Sequence, residues 1–142
     1  MKSIVVCTLT LMLAMTTGCG SDMPKTVKVS GKVTFDGKAP PGPGVVYFLP
    51  KEAAKDFPLR PATGDFAANG EYKATTFEPN DGLMPGNYRA YIECWETAPN
   101  MDGKPVKSFV PKKFQSADSS GFELEVTVKD QSRQQDFAVV TK

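Results

Sequence analysis

The chain has 142 residues, with 17 Lys and Arg against 16 Asp and Glu, and no histidine. A near-neutral total offers no broad basic face to nucleic acid or anionic headgroups, although a local patch can exist within it. The lack of histidine excludes Ser-His-Asp and Cys-His catalysis in their usual forms, and most catalytic zinc sites.

Residues 1–18 read as an export signal. Met1 to Ser3 hold one positive charge, Ile4 to Met15 is an apolar run, and Thr16-Thr17-Gly18 leads straight into Cys19. The run falls short of the roughly 20 apolar residues that span a bilayer, and it lacks the period of an amphipathic helix. There is no A-x-A-like site for a peptidase that leaves a free N-terminus. A small residue before a cysteine instead resembles the bacterial lipobox, with Thr16 standing where that pattern prefers leucine. The resemblance implies that Cys19 becomes the first mature residue, carries a diacylglyceryl thioether and is N-acylated, with chains of the palmitate type. Two acyl chains already anchor a protein stably. The expected divisions are 1–18 signal peptide, 19–25 lipidated tether and 26–142 a single domain. That domain is expected in the cell envelope, outside the cytoplasm, on the inner or outer membrane. Removing the signal takes only Lys2 from the charges. Cys7 leaves with it, so Cys94 stands alone and no internal disulfide is expected. Cys94 reads as a core thiol or as a reactive one, and its place in an alternating strand favours the core.

Past the tether the apolar period is two. Val27, Val29, Val33 and Phe35 alternate with polar residues, which predicts a strand with one wet face, ended by a tight turn at Asp36-Gly37. The proline- and glycine-rich Lys38 to Gly44 interrupts any ladder. Val45 to Leu49 predicts a buried strand, and Lys51 to Pro61 an irregular loop. A hairpin follows around Asn69-Gly70, with Phe66, Tyr72 and Phe77 as its packing residues. Pro85-Gly86 has the form of a type II turn. It launches Asn87 to Trp95, with Tyr88, Ala90, Ile92 and Cys94 on one face and Arg89, Tyr91, Glu93 and Trp95 on the other. Glu96 to Ser120 is too long for a structureless loop, so a short strand near Phe109-Val110 or a helical turn at Pro111 to Phe114 is expected. Phe122, Leu124, Val126 and Val128 alternate in the next strand, and Gln134 to Val140 forms the last. Seven strands with frequent turns and no convincing helix predict an all-β, antiparallel Greek-key sandwich.

Four segments together carry a family resemblance: Val29-x-Gly31-x-Val33-x-Phe35-Asp36-Gly37-Lys38, Val45-Val46-Tyr47-Phe48, Asn69-Gly70-x-Tyr72 and Pro85-Gly86-Asn87-Tyr88-Arg89-Ala90. They resemble the carboxypeptidase regulatory-like, or transthyretin-like (prealbumin-like), β-sandwich found in small lipoproteins of planctomycete-type bacteria. Val110-Pro111-Lys112-Lys113-Phe114 and Ser120-Gly121-Phe122 look like two further segments of that group. The similarity covers nearly all of residues 26–140. Its motifs are turn and core residues and report the fold; the resemblance implies an accessory, non-catalytic module, as in the carboxypeptidases that name the group.

The chemistry on offer is sparse. Trp95 and Tyr91 share a strand face and can stack on a sugar ring, or pack under the 96–120 loop. Glu78-Pro79-Asn80-Asp81-Gly82 holds two carboxylates without the spacing of a calcium loop, so no metal or cofactor is expected. Asp65 and Glu71 are the carboxylates a small hydrolase would use, and Lys112-Lys113 reads as exposed charge. The expected function is a membrane-anchored lipoprotein with a structural or protein-binding sandwich. A carbohydrate-binding lipoprotein and a carboxylate hydrolase are the alternatives. The partners are membrane lipid through Cys19 and a membrane-proximal protein or cell-wall polymer, not nucleic acid.

Overall fold

In a computed structural model describing residues 23–97 and 101–142, the period-two segments become strands, and no α-helix occurs among the described residues. The signal segment, Cys19 and the first part of the tether lie outside those residues. The strands are β1 (Lys28–Phe35), β2 (Gly44–Ala53), β3 (Ala62–Phe66), β4 (Glu71–Lys73), β5 (Gly86–Cys94), β6 (Phe122–Val126), β7 (Ser132–Gln134) and β8 (Phe137–Val139). They form one strongly curled sheet in the order β6-β5-β2-β3-β4-β1-β7, with β8 also on β1. Side chains alternate across it as the pleat requires. Val29, Val33, Val46, Phe48, Tyr88, Ala90, Ile92 and Cys94 enter one core. The all-β class therefore stands.

The pairing differs from a wholly antiparallel sheet of seven strands. The C-terminal run is two short strands, and both lie parallel to β1, with Lys28 opposite Ser132 and Val33 opposite Phe137. The cause is geometric. β6 ends beside the start of β5, and Val27 bridges to Leu83 just before that start. The short 127–131 link thus delivers β7 to the beginning of β1, where it can only run alongside. The break between β7 and β8 is bridged by one backbone bond and one side chain. Gln135 N donates to the Ser30 carbonyl at 2.9 Å, and the Asp136 carboxylate accepts from Lys32 N at 2.9 Å.

Several local expectations hold and others shift. Asp36 and Gly37 both have positive φ, 48° and 78°, in a two-residue turn closed by reciprocal Phe35–Lys38 bonds of 2.9 Å. That is the backbone a type I′ hairpin requires. Pro85-Gly86 is not a turn, because Gly86 already opens β5. It is glycine for closeness, since a Cβ there would lie 2.7 Å from the Glu52 carbonyl oxygen. Tyr88 secures this corner by donating its hydroxyl to the Met84 carbonyl at 2.8 Å. Phe77 is only half-buried, and the Arg60 guanidinium lies 4.6 Å from its ring centre. Val128 is exposed rather than inward, because Asp130 accepts from Thr127 N at 2.8 Å and turns the chain out of β6. In the long loop, Ser108 bridges to Trp95 and Lys112–Gln115 forms a 3₁₀ turn that buries Phe114.

Gly31 marks the tightest approach in the fold. A Cβ there would sit 1.7 Å from the Gln135 carbonyl oxygen, which also accepts the Tyr72 hydroxyl at 2.7 Å. Gly31→Ala is expected to lower unfolding free energy by about 3 kcal/mol through overpacking. Gly42→Ala, whose Cβ would meet only an ordinary 3.7 Å contact, is expected to be close to neutral. Urea denaturation of the two variants checks the contrast.

Candidate functional site

The outer face of β2 and β5 is where sequence and structure converge on chemistry. Pairing places Tyr47 directly opposite Tyr91, Val45 opposite both Glu93 and Asp65, and Leu49 opposite Arg89. Tyr47 and Tyr91 stack face to face, with ring centres 4.7 Å apart and planes 7° from parallel. The Glu93 carboxylate lies on the same face, at the next pair of that face along the ladder. Partial burial first, then that carboxylate, pushes the Tyr47 phenol up to about 12. Tyr91 is pushed upward by burial and by Glu93 in the same way. Both phenols are therefore neutral hydrogen-bonding groups at any physiological pH.

Trp95 continues this face four residues beyond Tyr91, about 13 Å away at the rise of a strand. It is half-buried and borders a hollow of about 370 Å³ with Pro43, Val45, Asp65, Phe66 and Glu96. The structure thus aligns Trp95 and Tyr91 as their alternation implied. It adds Tyr47, which no spacing within one strand could reveal, because its partner lies across a ladder of distant sequence. Asp65 and Glu96 are exposed carboxylates at the rim of the hollow.

The other candidates are engaged structurally or open to water. Cys94 is fully buried beneath this face, with its sulfur 3.5 Å from the Gly42 carbonyl, and burial pushes its thiol upward. Asp65 and Glu71 border a shallow hollow of about 290 Å³, and Asn69 donates to Glu71 at 3.0 Å. Both carboxylates are exposed, and nothing beside them excludes water as acid–base chemistry would need. Asp81 caps its own loop, accepting from the N–H groups of Thr76 at 2.7 Å, Phe77 at 3.0 Å and Glu78 at 3.2 Å. It thereby takes the role of a loop cap rather than a cation ligand. No group of three His, Cys, Asp or Glu side chains that could hold a metal ion occurs among the described residues. Lys112 and Lys113 are exposed, and the Lys113 ammonium lies 5.3 Å from the Phe114 ring centre. No helix among the described residues is long and apolar enough to cross a membrane.

A comparison of the chain with protein-family models, with curated proteins and with solved structures finds no match.

Burial alone would raise the Asp81 carboxyl, but the backbone N–H groups of Thr76, Phe77, Glu78 and Asp81 itself together outweigh it and hold the carboxyl below the ordinary 3.8. Asp36 and Asp130 are likewise lowered, by hydrogen bonds from Thr141 and Thr127. A lowered folded pKa contributes stability that is full above the unfolded value and is lost as pH falls through the folded one. With no histidine to titrate, stability should be level from neutrality to about pH 5 and fall below about pH 4. Asp81→Asn should cost about 1–2 kcal/mol at pH 7, allowing for partial solvent screening, and less at pH 3. Urea denaturation at the two pH values measures this. For Cys94, a thiol reagent should label the folded protein only at the rate of opening, and completely once denaturant is added. Rapid stoichiometric labelling of folded protein would contradict the buried assignment.

Proposed function

We propose that this chain is an exported lipoprotein, anchored through acylated Cys19, whose carboxypeptidase regulatory-like sandwich binds a partner and performs no catalysis. The domain belongs in the cell envelope, on the inner or outer membrane, with the transthyretin-like Greek-key layout that its turn and core motifs resemble. The observation that carries a binding role is the outer face of β2 and β5. There the Tyr47–Tyr91 stack, Trp95 and the flanking carboxylates form one strip on rigid strands. Aromatic faces with hydroxyl-accepting groups beside them suit a polyhydroxylated polymer, so a cell-wall glycan is the partner this strip fits best. A protein partner is the second reading. It is favoured by the exposed Met101 and the exposed stretch 101–105, on the excursion that bridges back to Trp95 at Ser108. Non-catalysis is supported by the carboxylates with lowered pKa, each engaged with backbone N–H groups of its own fold.

Two experiments separate the parts of this reading. Cys19→Ala should leave the membrane fraction or accumulate as unprocessed precursor, whereas a wild-type chain that is soluble with a different free N-terminus would refute the anchor. Trp95 is the only tryptophan, so its emission reports directly on the strip. Soluble wall-glycan fragments should shift that emission, and Tyr91→Ala should weaken their binding about tenfold. No shift, together with co-isolation of a protein that is lost when residues 101–107 are deleted, would favour the protein partner.

A further inference from the structure

One end of the sheet gathers the start of the described chain, the 54–61 loop, the 76–82 loop and the 127–131 link. Val27 bridges Leu83, Ala54 N donates to the Pro85 carbonyl at 3.2 Å, Arg60 lies over Phe77, and Ser132 pairs with Lys28. Five large apolar side chains are well exposed among the described residues, and three of them, Met23, Leu59 and Val128, sit at this end. Val128 also borders a groove of about 240 Å³ with an apolar floor of Ala53, Ala54 and Gly86 and a rim that carries Glu52 and Glu125. The surrounding exposed cations are Lys25, Lys28, Lys55, Arg60, Lys129 and Arg133, against the exposed carboxylates Glu52, Asp56, Glu78 and Glu125. Asp81 and Asp130, also at this end, are turned onto backbone N–H groups.

We infer that this end of the domain docks on the lipid surface, with Leu59 and Val128 entering the headgroup layer and the lysines contacting anionic headgroups. The inference rests on the anchor reading for its geometry. Met23 is four residues from Cys19, so at most about 14 Å of extended chain separates them. A lipid at Cys19 therefore holds this end, and no other, within the thickness of an interface. Apolar side chains that enter the headgroup layer while basic ones stay at its level are the usual make-up of an interfacial footprint. The long axis of β5 then points away from the membrane. Trp95, nine residues from Gly86, stands about 30 Å further out, which turns the aromatic strip toward the wall.

The test uses full-length protein reconstituted in vesicles containing anionic lipid with brominated acyl chains. Wild-type emission from Trp95 should be unquenched. Leu59→Trp and Val128→Trp, each combined with Trp95→Phe, should lose about half their emission, as expected for side chains about 5–10 Å into the interface. Both positions are already exposed, so neither substitution disturbs the core. Replacing Lys55 and Lys129 together by glutamate should reduce that quenching. The mass of the N-terminal peptide reports lipidation separately. A lipidated chain with no quenching at 59 or 128, or with quenching at Trp95 instead, overturns the docking face. A chain without acyl groups that is still quenched at 59 and 128 refutes the anchor and upholds the docking face.

Discussion

Phe137 occupies the position on which the rest of the fold depends. Its ring packs 6.1 Å from Phe48 of β2, 5.9 Å from Tyr72 of β4 and 5.0 Å from Phe122 of β6. One side chain thus touches three strands that are not neighbours along the sheet. Phe122 in turn stacks on Phe114 of the 3₁₀ turn at 5.2 Å, which ties the long loop into the same cluster. An open sheet of this curvature would leave Val33, Phe48 and Tyr72 facing water. Laying the C-terminal run along β1 removes that apolar area, at about 25 cal/mol per Å² buried. The run is held by polar contacts as well. Tyr72 donates to the Gln135 carbonyl, the Asp136 carboxylate replaces a ladder acceptor, and Thr141 donates to Asp36.

That closure partitions the molecule. Even-numbered residues of β5 build the core while odd-numbered ones build the outer face, and a one-residue slip would exchange the two. Register therefore fixes the Tyr47–Tyr91 stack as firmly as it fixes Cys94 in the interior. The two ends differ in chemistry as well. The end where the chain begins carries exposed apolar groups and lysines, and the far end carries Trp95 and the 95–108 excursion. The proposed tether and footprint draw on the first end, and the proposed recognition strip runs toward the other. Each part draws on different residues, so one can be altered without disturbing the others.

How much of this could be read from the chain follows from the range of each cause. Alternation is local, so the strands, the Cys94 face and the Asp36-Gly37 turn were legible. Trp95 and Tyr91 were legible as a pair for the same reason. Tyr47 was not, because its stacking partner lies 44 positions away and is set by β2–β5 register. The parallel placement of β7 and β8 was hidden because it depends on which end of β1 the 127–131 link reaches. Val128 continued the alternation of β6 but lost to a single side chain, Asp130, that ended the strand. Pro85-Gly86 matched a turn by composition, yet glycine is required there by the Glu52 carbonyl beside it. In each miss a contact from far along the chain, or one capping side chain, overrode a correct local preference.

One aromatic residue on a parallel C-terminal strand closes the sheet, and urea unfolding of Phe137→Ala, followed by Trp95 emission and far-ultraviolet circular dichroism together, measures how much depends on it. Phe137 is 1% exposed, so a loss of about 3–5 kcal/mol is expected, as for a large aromatic removed from a core. The Trp95 signal should move with the backbone signal in one transition. A loss below about 1 kcal/mol, outside that core range, would show that the sheet holds its shape without Phe137.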